Sequence, residues 1–366
     1  MRVIHSNSPN FALSDGLRHL KWQGLTEPSR NGNVVVSSVP VMTIHHAPAD
    51  RVLASKVRDA NPFFHLFEAM WMLAGRNDLL VPQTFVSTFG QYSDDGVTLN
   101  GAYGYRWRNH FGYDQLDMII AELKRNPSTR RAVLQMWDGG SFEGAEDHIG
   151  DLQKAIHGSA DVPCNTAVFF DTIGGKLNMT VTCRSHDVIL GAFGANIVHM
   201  SVLLEYVSFM TGLPMGVYRQ FSNNFHVYES QLAKDDFAEY GDAVLAEDIY
   251  QDYVVYRPRP KDVTWQRVPL AAPGEDLGLW HGDLNGFMRE IEAYRSNPDQ
   301  PTVWDGGQYP HTNFFKGVIH PMWDAWKLWK RKDFDGALEQ AARIRAGDWR
   351  IASTAFIQRR KDKAHA

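Results

Sequence analysis

Cysteine is scarce in this chain: two residues in 366, Cys164 and Cys183. Two thiols make no disulfide framework, and neither has neighbours at zinc-ligand spacing, so no metal is expected. Such sparing use of cysteine suits a reducing, cytosol-like compartment. Long apolar runs are missing too. None approaches the roughly 18–20 residues of a membrane span, and the opening "MRVIHSNSPNFALSDG" lacks a signal-type apolar core. Excess positive charge is likewise absent. With 37 Lys and Arg against 42 Asp and Glu, the formal charge of −5 argues against dedicated nucleic-acid binding. No repeat or low-complexity tract is present, and His45-His46 form no metal pair because strand neighbours face opposite ways.

What remains is an ordinary soluble composition, 44% apolar and 22% charged, long enough to bury a large core. Residues 34–58 read as short strands and turns. "NPFFHLFEAMWMLAG" reads as a buried helix with Asn61 as N-cap, Pro62 in the first turn and Gly75 past the end. Leu116, Ile119, Ile120 and Leu123 mark an amphipathic helix. Residues 139–160, rich in glycine and acid, read as a surface excursion. "NTAVFFDT" and "KLNMTVTCR" flank Gly174-Gly175 as a hairpin, with Leu177, Met179, Val181 and Cys183 on one face. Residues 195–211 form a long apolar helix. From about residue 231 the pattern is helical; Trp323, Trp326 and Trp329 read as core, and the tail "QRRKDKAHA" as a solvated end. The expectation is one α+β domain over 1–366, a mixed sheet with flanking helices and a helical C-terminal elaboration at about 231–366.

Three features carry chemistry. Cys164 follows Pro163 at a strand entrance, where its side chain can face a cleft; the hairpin brings Arg184 near it, and a guanidinium favours the attacking thiolate. Cys183 occupies an inward strand slot and reads as inert. Glu68 is the sole acid between Ala60 and Gly75, amid Phe64, Phe67, Met70, Trp71 and Leu73. Burial would raise its pKa toward a proton-relay range; the alternative is an acid on one wet helix face. Arg30, Arg130, Arg131 and Arg184, if they converge, would clamp a phosphate, with Ser185 adding a hydroxyl.

Together these pieces resemble the folate-dependent thymidylate synthase family, which includes the pyrimidine-nucleotide hydroxymethylases. The likeness spans about residues 28–230 and runs through "FEAMWMLAGRND", "NGAYGYRWR", "PSTRR", "VPCN", "RSHDVILG", "ANIVHMSVLLEY" and "FHVY" in order. It implies that Cys164 adds to C6 of the pyrimidine and that C5 then takes a one-carbon unit from 5,10-methylenetetrahydrofolate. Tyr103, with water ordered by Glu68, would help remove the C5 proton. Arg30, Arg184 and Ser185 would hold the 5′-phosphate, and Arg130 and Arg131 would reach it from a neighbouring subunit, making a homodimer through the sheet with shared active sites. Asn196 would read the base at O4 and N3, and His226 and Tyr228 would bind the 3′-hydroxyl. Asp187, counted also among the catalytic residues, would contact or shape the folate pocket with Trp71 and Gly191.

The chain departs from the family in three places. Asn165 stands where the family has His, the loop "GAFGAN" is one residue longer, and "QRRKDKAHA" replaces the apolar tail that closes over folate. A site open to water would hydrate the methylene on C5 instead of reducing it, so the resemblance favours hydroxymethylation. Asn196, with both a donor and an acceptor, matches uracil, so dUMP is the favoured base. The alternatives are thymidylate synthesis, dCMP or CMP hydroxymethylation, and a nucleotide-binding protein without catalysis. A bacterial or phage-infected cytoplasm, and a viral genome using the modified base, would suit such a product.

Overall fold

The computed structural model describes residues 1–140, 149–232, 237–250, 267–272, 274–299 and 311–365. The strands are β1 Arg2–Ser6, β2 Gly24–Ser29, β3 Gly32–Ser37, β4 Val41–His45, β5 Val133–Gln135, β6 Asn165–Asp171, β7 Leu177–Asp187 and β8 Met215–Tyr228. They form one mixed sheet in the order β1-β4-β8-β7-β6-β5, with the β2–β3 hairpin joined to β8. The β1–β4 and β7–β8 pairs are parallel and the others antiparallel. Interleaved helices are α1 Pro9–Gln23, α2 Pro62–Leu73, α3 Leu80–Phe85, α4 Tyr103–Arg108, α5 Gln115–Arg125, α6 Asp151–Ile156 and α7 Asn196–Thr211. After the sheet come α8 Glu229–Leu232, α9 Phe237–Ala246, α10 Leu277–Ser296, α11 His320–Lys330, α12 Phe334–Ala342 and α13 Gly347–His365.

The pleat gives the sheet two unlike faces. One cross-strand row, Ile4–Thr43–Gln220–Val181–Val168–Leu134, is buried throughout, under α1 and α7. The adjacent row, His5–Ile44–Arg219–Thr180–Phe169–Val133, is partly or fully exposed. Helix α2 starts where the sequence places it: Asn61 Oδ1 accepts from Phe64 N at 3.2 Å, Pro62 opens the first turn, and Gly75 follows with φ +70°. The expected hairpin is present, with both Gly174 and Gly175 at positive φ.

Three expectations change. A continuous apolar helical stretch, Val188–Thr211, is long and apolar enough to cross a bilayer by length and composition, but most of it is buried inside the fold. The 139–160 excursion is anchored where it is described: Asp151 is fully buried and takes a bidentate ion pair from the equally buried Arg106, at 2.6 and 2.8 Å; residues 141–148 lie outside the described residues. The basic tail continues α13, and Arg359 and Arg360 both pair with Asp59 at 2.8 and 2.7 Å, so its first turns are docked. Trp323 and Trp326 are core as expected. Phe67 of α2 packs on Phe287 of α10 and Trp323 of α11, with ring centroids 4.9 and 6.1 Å away.

Candidate active site

Cys164 ends the loop entering β6 and lines a cavity of about 260 Å³. Four contacts from neighbouring segments aim it there. Arg184 N donates to Cys164 O at 2.9 Å, which continues the β6–β7 ladder by one residue. The Arg184 guanidinium donates to Pro163 O and Val162 O, both at 2.9 Å, and its Nη2 lies 3.8 Å from Cys164 Sγ. Asp161, just upstream, accepts from Gly101 N at 2.7 Å. Asn165 N donates to the Tyr103 hydroxyl at 3.3 Å, so the residue after the thiol is tied to α4. Burial pushes the Cys164 thiol above its ordinary pKa; Arg184 and Arg30 pull it down without cancelling that effect, and Asp161 adds to it. The expected guanidinium assistance is therefore present but outweighed in the free protein. Cys183 is inert as expected: it is buried, its thiol is pushed far up by desolvation, and it donates to Ser185 O.

Two helices face the thiol. From α2 come Phe64, Glu68, Trp71 and Met72; from the start of α7 come Asn196 and His199. Tyr103 of α4 completes the reactive wall, and its hydroxyl is held neutral by burial, with its pKa well above the ordinary value. Helix α4 can approach α2 so closely because residue 104 is glycine; a Cβ there would overlap the Met72 carbonyl. Trp71 Nε1 donates to Asp78 Oδ2 at 3.2 Å, fixing the indole against the cavity. Phe89 and Tyr92, on a helical turn at Ser87–Tyr92, add two more aromatic rings. Phe64, Trp71, Phe89 and Tyr92 give the cavity flat apolar surface of the kind a planar heterocycle stacks on.

Asn196 is oriented from behind. Its Nδ2 lies 2.9 Å from His186 Nε2, and His186 Nδ1 lies 2.9 Å from Ser222 Oγ. Burial pushes the His186 pKa down to about 3, so the ring is neutral and accepts at Nε2 while Nδ1–H donates to Ser222. That fixes the Asn196 amide with Oδ1 free. The "GAFGAN" loop forms part of a π-helical stretch, Val188–Ala195, that runs straight into α7. A π-turn takes up one inserted residue without breaking the helix, so Asn196 keeps its place on the cavity wall. Gly191 lies over this pair: a Cβ there would come within 3.3 Å of the His186 ring.

The structure thus brings Cys164, Glu68, Tyr103, Trp71 and Asn196 to one cavity, with Arg184 touching the sulfur. Arg30, in the β2–β3 turn, acts on the thiol electrostatically. Other expected residues line no part of this cavity. Asp187 Oδ1 caps the π-helical stretch through Ile189 N and Leu190 N at 2.8 and 2.6 Å, and its Oδ2 accepts from Gln231 at 3.0 Å. Ser185 and His226 lie on the paired strands β7 and β8, His226 directly opposite Asp187 and bonded to Asn224, and Tyr228 ends β8 beside Val34. Arg130 and Arg131 are exposed in the turn before β5, away from the thiol of their own chain. Sequence reasoning missed His199, Asp161, Phe89 and Tyr92. His199 had a signal, its three-residue spacing from Asn196 on one helix face; the two rings of Ser87–Tyr92 had none.

The thymidylate synthase family model matches residues 14–237. A deoxyuridylate hydroxymethyltransferase of Pseudomonas phage M6 is 41% identical over 367 residues, covering 99% of this chain and 95% of that one. Another of that name, from Bacillus phage SP01, is 33% identical over 262 residues, 69% of this chain and 63% of its own. A thymidylate synthase of Symbiobacterium thermophilum is 30% identical over 184 residues, 45% of this chain and 58% of its own. The M6 similarity, at 99% of this chain, includes the C-terminal helices.

Proposed function

The chain belongs to the thymidylate synthase family, and from that premise we propose that it converts dUMP to 5-hydroxymethyl-dUMP, with 5,10-methylenetetrahydrofolate and water as co-substrates. The observation that carries this reading is the single cavity holding Cys164, Glu68, Tyr103 and Asn196 beneath an aromatic wall. The full-length similarity to a deoxyuridylate hydroxymethyltransferase supports hydroxymethyl over methyl as the product.

Cys164 Sγ adds to C6 of the uracil, and the electron pair moves to C5 and the C4 carbonyl. The attacking form is the thiolate, which the positive charges of Arg184 and Arg30 favour. Asn196 Oδ1 accepts from N3–H and its amide nitrogen reaches O4; His186 keeps it from flipping. The folate supplies a carbon at the formaldehyde level, and the aromatic wall of Phe64, Trp71, Phe89 and Tyr92 fits a pterin ring. Water ordered by Glu68, with Tyr103 helping, then takes the C5 proton as tetrahydrofolate leaves, and water hydrates the exocyclic methylene that remains.

Arg30, Arg184 and Ser185 hold the 5′-phosphate in this reading, His226 and Tyr228 the 3′-hydroxyl, and Trp71, Asp187 and Gly191 shape the folate side. Arg130 and Arg131 serve the neighbouring subunit. Supporting this dimer is the open face of the sheet, where Val3, Val133 and Phe169 are 37%, 41% and 42% exposed. The test is product analysis. Protein, dUMP and methylenetetrahydrofolate are expected to give 5-hydroxymethyl-dUMP by chromatography with no absorbance growth from dihydrofolate. Dihydrofolate and dTMP instead would make it a synthase, and nucleotide binding without turnover a binding protein.

A further inference from the structure

We propose that His199 is a catalytic residue for the hydration step, holding the attacking water and accepting its proton. This rests on the hydroxymethylase reading above. His199 is 3% exposed yet lines the Cys164 cavity. Among the described residues neither ring nitrogen has a hydrogen-bond partner, although buried polar groups are almost always paired. Its Nε2 lies 3.0 Å from Glu68 Oε2, close but out of hydrogen-bond alignment. Other polar groups of the cavity have partners or a role in the reading above: Asn196 Nδ2 is held by His186 with its Oδ1 left for the base, Tyr103 is tied to Asn165, and Asp161 to Gly101. The imidazole and carboxylate of His199 and Glu68 are the pair left open to a third, small polar group.

The chemistry closes without a reductant. The water oxygen bonds to the methylene carbon, and the exocyclic π pair moves onto C5 and into the C4 carbonyl. His199 Nε2 takes the water proton and can pass it to the Glu68 carboxylate. Collapse of the enolate re-forms C5=C6 and expels Cys164 as thiolate, which restores the site.

The test uses the full chain, as wild type, His199→Ala and His199→Gln, with dUMP tritiated at C5 and methylenetetrahydrofolate. Tritium release reports loss of the C5 proton, before hydration; chromatography reports the hydroxymethyl product. In single turnovers with enzyme in excess, release in both variants is expected to stay near the wild-type rate while product formation slows about 100-fold, the usual loss for a general base. Added 2-mercaptoethanol, a nucleophile that brings its own anion, should then capture the stranded methylene as a thioether nucleotide. Glutamine can hold water but cannot take its proton, so rescue by His199→Gln would reject the proton-accepting role. Release and product falling together, product unchanged, or both variants failing to fold and bind dUMP would overturn the assignment. A methyl product with dihydrofolate from the wild type would instead sink the hydroxymethylase reading, visibly and before any variant is compared, and this assignment with it.

Discussion

At the scale of single residues the thiol is set by a contest between solvent removal and charge. Desolvation raises the Cys164 pKa, and Arg184 and Arg30 oppose it. Thiolate is the form that reacts, so alkylation of the free protein by iodoacetamide should rise with pH, with an inflection above that of an ordinary cysteine. Arg184→Gln removes a positive charge and so disfavours thiolate further. The inflection is expected to move to higher pH still, and an unchanged profile would show that Arg184 only braces the loop. Cys183, buried and bonded to Ser185, should not contribute to the signal. Base choice also sits at one residue. Asn196→Asp keeps an acceptor but loses the amide donor, and an uncharged carboxyl suits the exocyclic amine of cytosine. One mispaired buried group costs about 1–3 kcal/mol, so the kcat/KM ratio of dUMP to dCMP should fall by about 10- to 100-fold. No change in that ratio would mean that Asn196 does not touch the base.

Elements bring these residues into reach, and glycines decide how closely. Helices α2 and α4 meet at Gly104, against the Met72 carbonyl, and this contact sets Tyr103 beside Glu68. Gly104→Ala forces the two apart; overpacking of this kind costs about 1–3 kcal/mol. A lower urea midpoint is expected, together with a fall in turnover, because Tyr103 moves with its helix. Wild-type stability in that variant would remove the close approach from the account. Elements of this sort were legible from the chain alone where the signal is local: the Asn61 cap, the glycine hairpin and the alternation of Leu177, Met179, Val181 and Cys183. Of the site, Cys164, Glu68, Tyr103, Trp71 and Asn196 were legible because they sit in short motifs. Illegible were contacts made between distant segments. Asp151 reads as one more acid in a polar stretch, and only the fold reveals Arg106 buried against it. The π-helical stretch before Asn196 looks like a surplus residue, since a sequence shows an insertion but not whether a helix swallows it.

Across the whole molecule, the C-terminal helices share the core of the catalytic half. One continuous apolar cluster runs from Val52 through Phe67 and Trp71 to Trp323 and Ile357. We propose that the chain is one domain, which should unfold in a single transition. Truncation after residue 232 should then expose the Phe67 side of α2 and leave insoluble protein, whereas a soluble, active fragment would show two domains. The open sheet face poses the complementary question, of what lies beyond one chain. Arg130 and Arg131 are exposed and far from their own thiol, and an isologous contact through the sheet would place the same patch of each copy against the other. A site built that way takes its cysteine from one subunit and these two arginines from its partner. Cys164→Ala disables the first contribution, and Arg130→Ala with Arg131→Ala the second, so each homodimer should be inactive. Refolded together in equal amounts, they form heterodimers in about half of the pairs, each with one site complete. Activity should therefore return to about one quarter of the wild-type level. Mixed protein as inactive as its parents would show that no site is shared, and would leave the two arginines without a role in holding phosphate.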